Sequence, residues 1–153
     1  MIKRLIAILL ALLFISTAAV ADDYAVYVLC QPDSFVYVRQ FPKRGAHEVG
    51  YVELGEELTT DGTKRNGFLQ VDAFEGGGWI YSGFVTEYPV TVESIETEID
   101  SRGRVACRRY INGTRRKWLK NGQKVVVFAF ADDWTVTNQG FIQTQYLGVF
   151  SGE

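Results

Sequence analysis

From Tyr24 onward the chain consists of short segments in which apolar and polar residues alternate, with a turn signal after each one. Alternation with a period of two is typical of β-strands with one buried face. The segments are also rich in Val, Ile, Thr, Tyr, Phe and Trp, which strands favour. Before residue 88 the pattern predicts strands over residues 24–29, 35–39, 49–52, 58–61, 68–72 and 79–81. Strands this short with turns this frequent favour an all-β fold made of small barrels.

The pattern then occurs a second time, which predicts a tandem repeat. Val38-Arg39 aligns with Cys107-Arg108, and the run from Gly78 to Val85 aligns with the run from Gly140 to Leu147. The other aligned pairs are apolar or glycine-containing: residues 51–55 with residues 118–122, Leu58 with Val125, and Phe68 with Trp134. The linker is expected at about residues 87–98, and residues 90–92 within it are expected to pair as a strand.

The first 21 residues have the three parts of a secretory signal peptide. A positive start at Lys3-Arg4 precedes an uncharged apolar run over residues 5–15, and small residues stand at Ala19 and Ala21. The apolar run is short for a membrane helix, which needs about 20 apolar residues, although an uncleaved anchor is the alternative. We expect cleavage after Ala21, no membrane span in the mature chain, and a secreted, periplasmic or cell-envelope location. The predicted plan is a signal peptide at 1–21, one barrel at 22–88 and a divergent second barrel at 89–153.

Several motifs of the first copy resemble those of the bacterial Src-homology-3-like (SH3b) domain family. They are Val36-Tyr37-Val38-Arg39, Gly50-Tyr51-Val52-Glu53-Leu54-Gly55, Phe68-Leu69-Gln70-Val71 and the run from Gly78 to Val85. The second copy departs from the pattern, with Arg108-Arg109-Tyr110-Ile111 in place of an Arg-x-x-Pro step and Phe141 in place of the tryptophan. The resemblance implies two partly open five-stranded barrels, with one-turn helices at residues 82–84 and 144–146. It also implies binding of peptidoglycan or its peptides, as family members often do.

The two cysteines, Cys30 and Cys107, are predicted to form a disulfide. Export would place them where disulfides persist, and two cysteines allow one intramolecular bridge. The alternative is two buried free thiols, because free cysteine packs as a small apolar residue.

Catalytic and metal chemistry find little support in the sequence. His47 is the single histidine, and one His with two Cys falls short of a metal site. The acidic clusters lie at predicted turns, and no pair of carboxylates stands out as a glycosidase pair. We therefore expect no enzyme activity, no cofactor and no metal, with an unrecognised envelope hydrolase as a remaining alternative.

Charge is divided unevenly along the chain. Residues 22–101 contain five basic and fifteen acidic side chains, whereas residues 102–124 contain nine basic side chains and no acidic one. Two interpretations are open: the basic segment binds an anionic ligand, or it docks on the acidic first barrel or is simply a solvated face. Its candidate residues are Arg102, Arg104, Arg108, Arg109, Arg115, Arg116 and Lys117.

The aromatic residues divide into a predicted core and a predicted groove. Phe68, Trp134 and Phe141 are the predicted core residues. Folds of this type bind extended chains in aromatic-lined grooves, and Tyr and Trp need a polar outlet when buried. The groove candidates are Tyr37, Arg39, Tyr51, Trp79, Tyr81 and Trp118.

These features together predict an exported, non-catalytic binding module that recognises peptidoglycan or another envelope component. The expected partner is a wall peptide or glycan, or an envelope protein, with no nucleic acid, and the chain is expected to be a monomer. The alternative is a protein-interaction or inhibitory partner of a secreted enzyme.

Overall fold

The computed structural model describes residues 22–148, all as strands, turns and loops apart from two one-turn 3-10 helices. The predicted signal peptide, residues 1–21, lies outside the described residues. Up to residue 88 the strands are β1 (Tyr24–Val28), β2 (Phe35–Arg39), β3 (Glu48–Glu53), β4 (Glu57–Thr60), β5 (Lys64–Arg65), β6 (Phe68–Val71), β7 (Gly78–Tyr81) and β8 (Val85–Thr86). They are followed by β9 (Thr91–Glu98), β10 (Val105–Arg108), β11 (Arg115–Leu119), β12 (Lys124–Ala131), β13 (Trp134–Thr137) and β14 (Gly140–Gln143).

The strands form three antiparallel sheets, none of which closes on itself. Within residues 22–88, the first half, β3-β2-β7-β6-β5 make one sheet and β4-β1-β8 make another. Within residues 89–148, the second half, one sheet has the order β11-β10-β14-β13-β12-β9. The all-β fold is confirmed. The helices occupy Ser82–Phe84 and Thr144–Tyr146, as predicted, and residues 91–92 of the linker pair with β12 as part of β9. In the described residues no helix is long and apolar enough to cross a membrane.

The alternation of the sequence decides which side chains enter the core. In β2, Val36 and Val38 are buried while Phe35 and Tyr37 are exposed. In β12 the buried positions are the alternate residues from Val125 to Ala131. Because side chains of a strand point to opposite faces in turn, this pattern gives each sheet one apolar side.

The two halves share a detailed pairing pattern at the aligned positions. β2 lies between β3 and β7, and β10 lies between β11 and β14. The register shifts at Val38/Arg39 in one case and at Cys107/Arg108 in the other. At each shift an arginine closes the following loop, since Arg39 donates to the Ala46 carbonyl at 2.8 Å and Arg108 to the Gly113 carbonyl at 2.7 Å.

The halves meet through an apolar cluster. Leu29, directly after β1, is fully buried and packs with Ala129, Trp134, Val136 and Phe141 of the second half. Trp134 and Phe141 are thus buried, as predicted. Burial of aliphatic and aromatic surface is the main source of stabilisation in such contacts.

Backbone and side-chain hydrogen bonds also join the halves. The Ile111 amide donates to the Gly83 carbonyl at 2.9 Å, and Gln31 Nε2 donates to the Thr137 carbonyl at 3.1 Å. By contrast, across residues 22–148 no ion pair links the basic segment 102–124 to a carboxylate of the first half. The contacts that the structure shows between the halves are thus apolar packing and hydrogen bonds.

The predicted disulfide between Cys30 and Cys107 is wrong, because both residues are buried free thiols. Cys30 packs in the core of the first half, with Sγ 3.8 Å from the Ser34 carbonyl oxygen. Cys107 packs in a separate core of the second half and donates to the Gln139 carbonyl at 2.9 Å. Each cysteine fills its own core as a small apolar residue, which explains why the two do not meet.

Burial raises the pKa of the Cys30 thiol from 9.0 to about 11, and the nearby Glu53 and Glu56 carboxylates act in the same direction. The unfolded thiol ionises first as the pH rises. The stability that depends on neutral Cys30 is therefore fully present below pH 9.0 and is lost towards pH 11.

We expect Cys30→Ala to lose less stability than wild type between pH 9.0 and about 11. Urea unfolding at several pH values measures the two slopes. As a control, the wild-type protein is alkylated in denaturant without reductant, and its intact mass should show two modified thiols. Equal slopes for the two proteins would contradict the role given to Cys30.

Candidate functional site

The outer face of the first-half sheet carries most of the predicted groove residues. Tyr37 on β2 lies opposite Tyr51 on β3, and Arg39 lies opposite Trp79 on β7. Tyr81 follows two positions after Trp79, so it shares that face. Five of the six candidates therefore lie on one side of one sheet.

Part of this face forms the floor of a cleft of about 370 Å³ between the two halves. From the first half, the lining side chains include Phe35, Tyr37, Arg39, Arg44, Phe68, Tyr81 and Phe84. From the second half they include Arg109 and Tyr110. Among the residues predicted from sequence, Tyr37, Arg39, Tyr81 and Arg109 are brought together here. Tyr51 and Trp79 lie on the same face but outside the lining.

The floor of the cleft consists of two groups of packed aromatic rings, one around Phe35 and one around Phe68. Phe35 packs edge-on against Tyr37, with ring centroids 5.0 Å apart, and its ring lies 5.2 Å from that of Tyr51. Phe68 packs edge-on against Tyr81 at 5.5 Å. Phe68 is buried, as predicted, but it lies under the cleft and not in the main core cluster of the first half. Edge-to-face pairs of this kind hold the rings in fixed orientations.

Tyr110 of the second half forms a wall of the cleft. Its ring stands edge-on to Tyr81 at 5.1 Å and lies 5.8 Å from Phe84. Gly83 admits the ring, since a Cβ atom there would lie 2.6 Å from Tyr110 Cδ2, and Gly113 is in similar contact with it. The site thus requires both halves.

The surroundings of Tyr81 favour its neutral, protonated hydroxyl. Its hydrogen bond with the Tyr110 side chain raises the pKa of Tyr81, and burial acts in the same direction. The Arg44 guanidinium opposes this shift, which places a positive charge near the phenol. Tyr81 is therefore a neutral hydroxyl at physiological pH.

The charged side chains that line the cleft are all basic. Arg39 is fixed by the Ala46 carbonyl, by a 3.2 Å ion pair with Glu48 and by the Tyr37 ring 5.3 Å away. Arg44 and Arg109 are exposed, and neither has an ion-pair partner within residues 22–148. Within the part of the chain that the structure describes, no carboxylate side chain belongs to the lining. The cleft therefore combines an aromatic floor with two guanidinium groups that have no ion-pair partner within residues 22–148.

The remaining candidates lie elsewhere. Trp118, on β11, is exposed and stacks with Arg115, whose guanidinium carbon is 4.5 Å from the ring centroid. The β11 side chains Arg116 and Lys117 are also exposed, and Lys117 hydrogen-bonds to Gln139. Arg102 and Arg104 are exposed before β10, whereas the Arg108 guanidinium donates a hydrogen bond to the Gly113 carbonyl.

A second, polar cleft of about 250 Å³ contains three carboxylates, Asp23, Asp61 and Asp72. The Thr63 backbone amide donates to Asp61 and lowers the pKa of that carboxyl. A general acid needs a raised pKa, so Asp61 has the opposite perturbation. Within residues 22–148 no three His, Cys, Asp or Glu side chains are grouped as metal ligands would be.

Comparison with protein-family models finds a match within the first half. Residues 34–86 match the model of the bacterial SH3 domain family, which covers β2 to β8 and most of the cleft floor. The search of curated proteins gives no match.

Two of the similar solved structures are NlpC1 and NlpC2 from Trichomonas vaginalis. They are 15% and 13% identical to this chain, each with a TM-score of 0.38. The alignments cover 86% and 84% of this chain and 48% of each of those chains. This chain thus spans about half the length of either one.

Proposed function

We propose that this protein is an exported, non-catalytic module that binds a component of the bacterial cell wall in the aromatic cleft between its two halves. The cleft itself carries the proposal. It is concave, aromatic and built on the segment that matches bacterial SH3 domains, which generally bind cell-wall components. Concave aromatic sites with a few fixed polar groups are the usual form of ligand sites.

Two further parts belong to the proposal. Residues 1–21 are a signal peptide, supported by their charge and apolar pattern. Residues 89–153 are a divergent second copy of the SH3-like unit, supported by the matched strand neighbours and register shifts of β2 and β10. The second copy contributes Tyr110 as a wall of the cleft, whose floor belongs to the first copy.

Co-sedimentation with purified peptidoglycan tests this function. We expect retention of wild-type protein, and about tenfold weaker retention of Tyr37→Ala, because stacking and burial on one aromatic ring contribute on the order of 1–2 kcal/mol. Tyr88→Ala is the matched control, since Tyr88 is similarly exposed but lies outside the cleft. Released sugar or peptide products, measured by chromatography, should be absent.

Three outcomes would contradict the proposal. Absence of retention would make a protein partner, such as a secreted enzyme, the better candidate. Retention that requires attached anionic polymers and is lost in salt would move the site to the basic segment 102–124. Product release that depends on one carboxylate would identify an envelope hydrolase.

A further inference from the structure

We propose that the cleft binds a free carboxylate of an extended peptide between Arg44 and Arg109, with one guanidinium from each half. This inference rests on the proposed function and specifies its ligand chemistry. It concerns the two arginines of the cleft whose side chains have no ion-pair partner within residues 22–148.

The three arginines of the cleft differ in the hydrogen bonds, ion pairs and ring contacts that they already make. Arg39 makes a backbone hydrogen bond, an ion pair and a ring contact within the first half. In the described residues Arg44 and Arg109 have no carboxylate within ion-pair distance, although both line the same cleft. Two like charges facing one cavity repel each other, and a bound anion removes that repulsion.

The size and lining of the site favour the end of a short peptide over a phosphate-bearing polymer. Guanidinium groups are planar and pair with carboxylates and phosphates alike through two parallel hydrogen bonds, so the distinction comes from the cleft and not from the arginines. The cleft volume of about 370 Å³ lies near the lower end for ligand sites, which suits a short chain end. Its floor of Phe35, Tyr37, Phe68 and Tyr81 offers aromatic surface to the rest of that chain.

The two arginines come from different loops. Arg44 lies in the loop between β2 and β3, and Arg109 lies directly after β10. If both contact one carboxylate, removing either breaks the shared site, so the effects of the two substitutions are not additive. This coupling distinguishes a shared site from two independent surface charges.

The experiment uses purified peptidoglycan freed of anionic polymers, before and after its free carboxylates are converted to amides. We expect amidation to weaken wild-type binding about tenfold. Arg44→Gln and Arg109→Gln should each lose about tenfold on untreated peptidoglycan, and the double variant should lose clearly less than a hundredfold. Each of the three variants should bind untreated and amidated peptidoglycan with the same affinity.

Arg104→Gln is the matched control and should bind as wild type, because Arg104 is exposed in the same basic segment but outside the cleft. All of these arginines are exposed, so their variants should keep the wild-type unfolding free energy. Variants with wild-type affinity and unchanged sensitivity to amidation would overturn the inference. If Tyr37→Ala still weakens binding in that case, the proposed function survives; if Tyr37→Ala also binds normally, both fail.

Discussion

Gly140→Ala should lower the free energy of unfolding by about 3 kcal/mol, from combined backbone strain and overpacking. Gly140 has a φ of +132°, which L-residues with a side chain rarely adopt. A Cβ atom there would lie 2.7 Å from the Arg108 carbonyl oxygen and 2.8 Å from Cys107 Sγ. The first neighbour is backbone and cannot rotate away, so β10 must shift to admit the methyl group.

Urea unfolding measures this effect, and Gly103→Ala is its control. A Cβ atom at Gly103 would meet nothing within 4 Å, and its φ lies outside the left-handed range. That substitution should change stability by no more than about 0.5 kcal/mol. Similar stabilities for the two variants would contradict the close approach of β10 and β14 at Gly140.

Leu29→Ala should lower the free energy of unfolding by about 2–5 kcal/mol, as usual for a fully buried leucine. It should also loosen the contact between the halves, because Leu29 lies in a cluster with Trp134, Val136 and Phe141. Leu69→Ala removes a comparably buried side chain from the first-half core, away from that cluster. It should cost similar stability without separating the halves.

Small-angle scattering separates apolar docking from docking by charge. We expect a larger radius of gyration for Leu29→Ala than for Leu69→Ala under native conditions. The wild-type profile should not change between low and high salt, since no ion pair joins the halves within residues 22–148. A wild-type protein that expands in salt would show that charge holds the halves together.

Periodicity predicted much of this fold because it reports the local environment of each residue. The alternation in Phe35–Arg39 gave both the strand and the face of Tyr37 and Arg39. The resemblance to the bacterial SH3-like family placed both one-turn helices correctly. Trp134 and Phe141 were predicted core residues and are buried.

The disulfide prediction failed because compartment and cysteine count carry no information about distance. Cys30 and Cys107 belong to separate cores, and that separation depends on how the halves pack. A pattern within one strand does not describe packing between strands that are far apart in sequence.

The cleft could be predicted only in part for the same reason. Tyr37, Arg39 and Tyr81 share a strand face, which the sequence pattern indicates. Phe35 carried the same signal, since it stands two positions before Tyr37 on β2. Tyr110 and Arg44 lie in loops, and their places in the cleft follow from contacts such as that of Tyr110 with Gly83. No local periodicity encodes contacts of that kind.

The central claim, that a wall component binds in the cleft between the halves, is tested most directly by mapping amide chemical shifts. Soluble peptide fragments of peptidoglycan are added to the isotope-labelled protein. We expect the largest shifts in β2, around Tyr81–Phe84 and at Arg109–Tyr110. Shifts concentrated on β11, or no shifts at saturating fragment concentration, would contradict the account.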